Sequence, residues 1–140
     1  MASRATRTQP FSVRLGPSAS LLVADEVRRS GRSRSAVVEE LAEEAAKSRI
    51  FAGIAFRGQP RRAWVIGTGL DAWEIVELVD SYEGDLARVS DAHPLVKERH
   101  VRLALAYAER FPDEIAAFAE ANRIPLDELQ ALYPFIQTAD

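Results

Sequence analysis

Cysteine is absent from this chain of 140 residues, and only two histidines are present. The missing cysteines exclude a disulfide framework, a thiol nucleophile and a thiolate zinc site, and two histidines are too few for a histidine-based metal cluster. The sequence also offers no nucleophile–base pair. We therefore expect a protein that needs no cofactor and is not an enzyme.

Long apolar runs are missing as well. No stretch approaches the roughly 20 residues that cross a bilayer, and the first eight residues are not followed by the apolar segment of a signal peptide. The composition, 47% hydrophobic and 28% charged, is typical of a globular chain. These features predict a cytoplasmic protein without a membrane partner.

Charge is distributed unevenly along the chain. Residues 1–34 carry seven arginines against two acidic residues, a net charge of +5, so the remaining 106 residues carry −8. A basic beginning suits a polyanion, whereas an acidic remainder is not drawn to nucleic acid by long-range electrostatics. The two ends of the chain are therefore expected to meet different partners.

The first 50 residues contain the pattern of one strand followed by two helices. Residues 10–15 alternate apolar and other side chains with the period of a half-buried strand, and Gly16–Ser18 breaks this strand and begins a helix. The helix stops at Gly31, and Ser33 is the expected N-cap of a second helix with one apolar side. We predict a module over residues 10–49, preceded by a flexible arm over residues 1–9.

The lone strand has a consequence for assembly. A strand needs a neighbour for its N–H and C=O groups, and no second strand signal lies nearby. A module of about 40 residues also cannot enclose an adequate core alone. Pairing with the same strand of a second copy removes both deficits, so the sequence predicts a homodimer.

Two groups of residues in this module are candidates for DNA binding. Ser12 and Arg14 lie on the outward face of the strand, and a two-stranded ribbon fits the major groove, where such side chains bond to base edges. The segment Arg32–Ser35 brings two arginines and two serines to a helix N-terminus, a composition suited to phosphate. The alternatives are an exposed edge strand and a capped helix start with solvated arginines.

The strand Phe11–Leu15, the turn Gly31–Ser35 and the helix Ala36–Leu41 together resemble the ribbon-helix-helix family of CopG- and Arc-type repressors. In that family the outward strand residues read bases, and the amides that begin the second helix hold a phosphate. The resemblance implies base contacts from Thr8, Pro10, Ser12 and Arg14, and phosphate contacts from Arg32, Ser33, Arg34 and Ser35. Pro10 departs from the pattern because it offers no side-chain hydrogen bond, so base reading is expected to be weaker or to shift to Thr8 or Gln9.

A second unit is predicted over residues 50–123. Two short strand patterns, Ile54–Arg57 and Arg62–Ile66, flank a turn at Gly58–Pro60 and indicate a β-hairpin. Helical patterns follow it, and three helices in this arrangement resemble a helix-turn-helix domain.

The first helix of the second unit has a clear start signal. Asp71 with Glu74 makes an acidic capping box, which begins the first helix. The basic start of the helix over residues 97–110 is either a second DNA contact or a solvated face. The further helical patterns lie over residues 85–92, 97–110 and 112–122.

The runs Ile66–Leu70, Trp73–Val76, Val101–Tyr107 and Phe111–Ile115 resemble the small helix-turn-helix antitoxin domains, VapB-like in operon context, that accompany PIN-type ribonucleases. The resemblance implies an antitoxin that represses its own operon and masks a Mg-dependent ribonuclease, as a dimer or within a larger hetero-oligomer. The acidic metal site of such a nuclease would favour an inserted arginine. The candidate toxin-binding residues are Arg57, Arg61, Arg62, Trp64, Arg123, Leu129, Leu132, Tyr133, Phe135 and Ile136.

Residues 124–140 are predicted to form a C-terminal helical tail. Its apolar residues are either a lid on the chain's own core or an anchor for a groove of a partner. The expected fold is mainly α with short β: a ribbon-helix-helix dimer module, a hairpin plus helix-turn-helix domain, and this tail. The expected function is that of an antitoxin that binds operator DNA and a PIN-type ribonuclease, and the alternative is a stand-alone ribbon-helix-helix regulator without a toxin.

Overall fold

The computed structural model describes residues 9–123 together with residues 128, 131 and 132. The chain divides into two compact units, Met1–Glu43 and Glu44–Asp140. The division falls inside the second helix, before the boundary that the sequence pattern predicts after residue 49.

The N-terminal unit contains helix α1, Pro17–Ser30, and the first part of helix α2, Arg34–Ile50. Gly31 ends α1 in the left-handed conformation (φ 68°), which lets its N–H donate to a carbonyl of the last turn. The hydroxyl of Ser33 accepts a hydrogen bond from the N–H of Ala36 at 3.2 Å. Ser33 is therefore the N-cap of α2, as its position in the sequence predicts.

The second unit begins with a hairpin. Strands β1, Ile54–Arg57, and β2, Arg62–Val65, pair antiparallel, with Ile54 opposite Val65 at one end and Arg57 opposite Arg62 at the other. The predicted hairpin is confirmed, and β2 ends one residue earlier than its sequence pattern.

The strand predicted over residues 10–15 is not formed within the single chain. Residues 9–16 have no regular secondary structure. The physical reason is the missing neighbour, because β1 and β2, the two strands of the described residues, pair with each other. A strand completed by a second copy of the chain stays a prediction.

Four helices follow the hairpin, and three of them begin where a capping residue or a proline stands in the sequence. The Glu74 carboxylate accepts the N–H of Asp71 at 2.7 Å, and the Asp85 carboxylate accepts the N–H of Arg88 at 3.2 Å. The chain is therefore mainly helical with one small antiparallel sheet, as predicted. The helices are α3, Ala72–Ser81; α4, Leu86–Ala92; α5, Glu98–Arg110; and α6, Pro112–Ala121.

One core holds the second unit together. Helix α3 packs against α5 and α6, and β2 packs against α3 and α5. Tyr107 is fully buried at the centre, where its ring meets that of Phe51 edge-on at 5.4 Å and its hydroxyl donates to Glu114 at 2.7 Å. No described helix has the length and apolar character that spanning a bilayer requires.

Candidate functional site

The N-terminal unit leaves several of its large apolar side chains in solvent. Phe11 is 85% exposed, Val13 61% and Leu21 69%. Among its described residues only Val23 and Val37 are buried. Two valines cannot supply a core for a unit of this size, so the unit lacks an apolar partner surface.

The arginines of this unit fall into two classes. One class is tied to carboxylates of the same unit: Arg28 with Asp25, Arg29 with Glu26, and Arg32 with Glu40. The other class, among the residues described, is Arg14 and Arg34, which have no carboxylate partner. Of the three arginines predicted for base or phosphate contact, Arg14 and Arg34 are thus without a carboxylate partner among the described residues, whereas Arg32 is neutralised by Glu40.

The start of α2 brings together the predicted phosphate-binding residues. The guanidinium of Arg34 donates to the hydroxyl of Ser20 at 3.4 Å, while Ser35 is exposed. The hydroxyl of Ser33 is engaged in capping, and Arg32 lies 2.9 Å from the Glu40 carboxylate. Backbone N–H groups at a helix start carry a partial positive charge, so Arg34 and Ser35 are best placed here to meet a phosphate.

Three of the four predicted base-contacting residues lie in the described part of the chain. Pro10, Ser12 and Arg14 are exposed. Thr8 lies outside the described residues. Among the described residues, no hydrogen bond or ion pair links Ser12 or Arg14 to the start of α2, so the two predicted DNA-binding groups are not joined in one site there.

In the second unit a buried carboxylate holds two of the predicted toxin-binding arginines. Asp71 is buried, and its two oxygens accept the Nε–H of Arg57 at 2.9 Å and of Arg62 at 2.7 Å. Arg57 also donates to the carbonyl of Gly69 at 2.9 Å and lies over the Trp64 ring at 4.8 Å. This cluster fixes the hairpin to the start of α3.

The sequence contains a signal for this cluster that periodicity alone misses. Arg57 and Arg62 stand directly opposite each other in the hairpin register. Like charges in that position repel, so a hairpin that pairs them needs an acidic group close by. Asp71, the N-cap of the next helix, supplies it.

The other two candidate arginines are also paired within the second unit. Arg61 binds Glu44 through two hydrogen bonds, at 2.7 and 3.1 Å, and Arg123 lies 3.2 Å from Glu77. Arg123 is the more exposed of the two. Each of the four candidate arginines would therefore have to break an ion pair with a carboxylate of its own chain before it could bind an acidic partner.

His100 begins α5 from a buried position. Its Nδ1 accepts the N–H of Lys97 at 3.0 Å, which places the proton of the neutral ring on Nε2. Burial, aided by the positive charge of Arg99, lowers the pKa of His100 from its ordinary value of 6.5. The imidazole thus secures the helix start and is not presented to a nucleic acid.

The predicted tail lies almost wholly outside the described residues. Leu132 is helical and 61% exposed. The other tail candidates, Leu129, Tyr133, Phe135 and Ile136, lie outside the described residues. Among the residues that are described, no group of three histidine, aspartate or glutamate side chains is arranged to hold a metal ion.

Comparisons with protein-family models, curated proteins and solved structures find no match for the chain.

Proposed function

We propose that this protein is a DNA-binding regulator that dimerises through its N-terminal segment and serves as the antitoxin of a type II toxin–antitoxin pair. The observation that carries the first half is the exposure of Phe11, Val13 and Leu21 in a unit that buries only Val23 and Val37 among its described residues. Burial of apolar surface is the main favourable term in folding. A second copy of the same unit supplies the missing surface.

In the proposed dimer, residues 10–15 of two copies pair as an antiparallel ribbon. The period of two then places Phe11, Val13 and Leu15 on one face, against the helices, and Ser12 and Arg14 on the other. Each polar residue is presented twice by the two-fold symmetry. A ribbon of this kind fits the major groove of DNA.

Charge supports DNA as the ligand of this face. Arg14 and Arg34 are not neutralised by carboxylates of the described chain, and residues 1–34 carry a net charge of +5. Arginine binds phosphate by charge and guanine by two parallel hydrogen bonds. We propose that Arg14 contacts bases and that Arg34 and Ser35 contact the backbone.

The second half of the proposal concerns the remaining, acidic part of the chain. Its sequence resembles antitoxin domains that accompany PIN-type ribonucleases, and Leu132 is an exposed apolar residue in the region assigned to the partner. The dimer would repress its own operon through the N-terminal unit. Direct binding through the second unit and tail would neutralise the toxin.

One observation favours a second candidate, a stand-alone regulator with no toxin. Arg57, Arg61, Arg62 and Arg123 all have carboxylate partners in their own chain. Insertion of any of them into an acidic nuclease site would cost that internal pair. A regulator without a partner meets no such cost.

A gel shift combined with a ribonuclease assay distinguishes the antitoxin from the stand-alone regulator. The full-length protein is titrated onto the DNA upstream of its own gene, with and without the product of the neighbouring reading frame, whose ribonuclease activity is followed in parallel. A sequence-specific shift together with inhibited ribonuclease activity is expected for the antitoxin. A shift without any effect on the neighbouring product would support the stand-alone regulator, and no specific shift would overturn the DNA-binding proposal.

A further inference from the structure

An open cleft of about 470 Å³ lies on the second unit. The turn of the hairpin, the first half of α3 and the end of α6 form its walls. The residues that matter for recognition are Pro60, Arg62, Trp73, Glu74, Phe118 and Asn122. The cleft is thus walled by two aromatic rings and a proline, with polar groups between them.

One polar atom of this wall lacks a partner. The indole N–H of Trp73 is buried and has no hydrogen-bond acceptor, and it is the one such side-chain nitrogen or oxygen among the described residues. Buried donors are almost always paired in folded proteins, because an unpaired one forfeits its hydration without return. A turn of the ring toward the cleft would let an occupant supply the missing acceptor.

The other polar groups of the wall are already engaged. Arg62 donates to Asp71, the Glu74 carboxylate accepts the N–H of Asp71 at 2.7 Å, and the Asn122 amide donates to the Phe118 carbonyl at 2.8 Å. The one unmet hydrogen bond in the wall of the cleft is therefore that of the Trp73 indole N–H, which needs an acceptor next to apolar surface.

The lining of the cleft offers no free positive charge. Arg62 is paired with Asp71, Glu74 adds a second negative charge, and Arg57, which lies outside the lining, also binds Asp71. An anionic occupant would therefore meet no free counter-charge, which is unfavourable. Phosphate groups and acidic side chains do not fit, whereas an uncharged segment meets no such cost.

The shape of the cleft favours a protein segment over a small molecule. Pro60, Ala121 and Asn122 at its edge are exposed, so the cleft is open along one side. Small-molecule sites usually bury most of their ligand, whereas a peptide needs only its anchoring side chain enclosed and leaves its backbone at the rim. A peptide also brings a carbonyl acceptor next to every side chain.

We propose that this cleft binds an uncharged segment of the toxin, with an apolar anchor side chain between Trp73 and Phe118 and a backbone carbonyl that accepts from the indole N–H. The inference rests on the proposed function, because it names the site through which the antitoxin holds its partner. It moves the main contact away from the arginines, which keep their internal ion pairs.

The test uses full-length protein and the purified product of the neighbouring reading frame, with affinity measured by isothermal titration calorimetry. Ala121→Arg adds bulk and charge at the exposed rim and should weaken binding by about tenfold or more. Ala116→Arg is the matched control, since Ala116 is exposed on the same helix but does not line the cleft. Trp73→Phe keeps an aromatic ring without the N–H and should weaken binding by a smaller factor.

The outcomes separate this inference from the function on which it rests. Circular dichroism and urea unfolding followed by tryptophan fluorescence verify that the second unit is folded in each variant, since Trp64 remains as a probe in Trp73→Phe. Unchanged affinity of Ala121→Arg, or equal losses in Ala121→Arg and Ala116→Arg, would overturn the cleft while leaving the antitoxin proposal intact. A wild-type protein that does not bind the neighbouring product would overturn the toxin half of the proposed function and the cleft with it.

Discussion

The two units of this chain differ in how far their apolar residues are buried. The second unit encloses a continuous core of twelve buried residues, with Tyr107, Ile54 and Ile75 among the largest. The described part of the N-terminal unit buries two valines and leaves Phe11 and Val13 in solvent. The second unit is thus stabilised by its own packing, whereas in the N-terminal unit the proposed dimer would supply the apolar contacts that two valines do not. The stability of the N-terminal unit should therefore vary with protein concentration.

The largest expected effect is on dimerisation, and it should be confined to the N-terminal unit. Val13→Asp places a carboxylate in the apolar face of the ribbon, where it has no partner, and should raise the dimer dissociation constant by about 100-fold, equivalent to ~3 kcal/mol. Sedimentation equilibrium measures the change. Ser12→Asp, with the same charge on the outward face, should leave the dimer intact. Equal losses in the two variants would show that the ribbon is not the dimer contact.

The next effect should be confined to the second unit. Ile75 is fully buried, so Ile75→Ala is expected to lower the free energy of unfolding of this unit by about 2–5 kcal/mol. Urea unfolding, followed by tryptophan fluorescence, measures it, because Trp64 and Trp73 both lie in this unit. Ile66→Ala, at an exposed isoleucine, should change stability by no more than about 0.5 kcal/mol. A loss of dimer in Ile75→Ala would contradict the independence of the two units.

A smaller effect should distinguish Arg14 from Arg34, the two arginines without a carboxylate partner in the described part of the N-terminal unit. Arg14→Ala is expected to relax sequence preference by about 1–3 kcal/mol per base contact, because a base contact is lost. Arg34→Ala should weaken binding to every sequence and reduce the salt slope by about one per site, because a phosphate contact is lost. Arg28→Ala, at an arginine paired with Asp25, is the control and should change DNA binding little. Gel shifts at several salt concentrations test all three.

The smallest effect is a pH dependence that belongs to the second unit. Because burial lowers the pKa of His100, the folded chain binds fewer protons than the unfolded chain as the pH falls below 6.5. The contribution of His100 to the free energy of unfolding therefore decreases on acidification through that range and is constant above it. His100→Gln keeps an acceptor for the N–H of Lys97 but cannot titrate. Urea unfolding at about pH 7.5 and about pH 5.5 should show a weaker pH dependence in this variant than in the wild type.

The elements that can be predicted from the sequence are those whose signals lie within a few neighbouring residues. The turn at Gly58–Pro60 predicts the hairpin, and Asp71 with Glu74 predicts the start of α3, since both depend on residues within one turn of each other. Ser33 was likewise identifiable as an N-cap from its immediate neighbours. Helices with both local start signals and a regular apolar stripe were the elements best defined by sequence.

The contacts that sequence reasoning missed join residues far apart in the chain. Lys47 looks like an ordinary basic helix end, yet its ammonium lies 4.4 Å from the centre of the Phe111 ring and 3.4 Å from the Glu114 carboxylate. These contacts hold the end of α2 within the second unit, so the division of the chain falls earlier than the predicted boundary. No periodicity within α2 reveals a partner more than 60 residues away.

The strand predicted over residues 10–15 is a different case, because it is not formed in the single chain and needs a neighbour from a second copy. A strand whose neighbour belongs to another copy cannot form in one chain alone. Whether residues 10–15 become a strand is therefore a question about the assembly, and the exposed side chains of Phe11 and Val13 are what an unpaired half of such a ribbon would present.

Crosslinking at Ser12 tests the two-chain ribbon most directly. The chain has no cysteine of its own, so Ser12→Cys introduces a single reactive thiol on the outward face of the segment. Neighbouring strands lie about 5 Å apart, and equivalent residues near the two-fold axis of the ribbon would be within reach of a short bis-maleimide. A two-chain ribbon should give a covalent species of twice the mass of the single chain. A protein that stays monomeric after full modification of the thiol would contradict it.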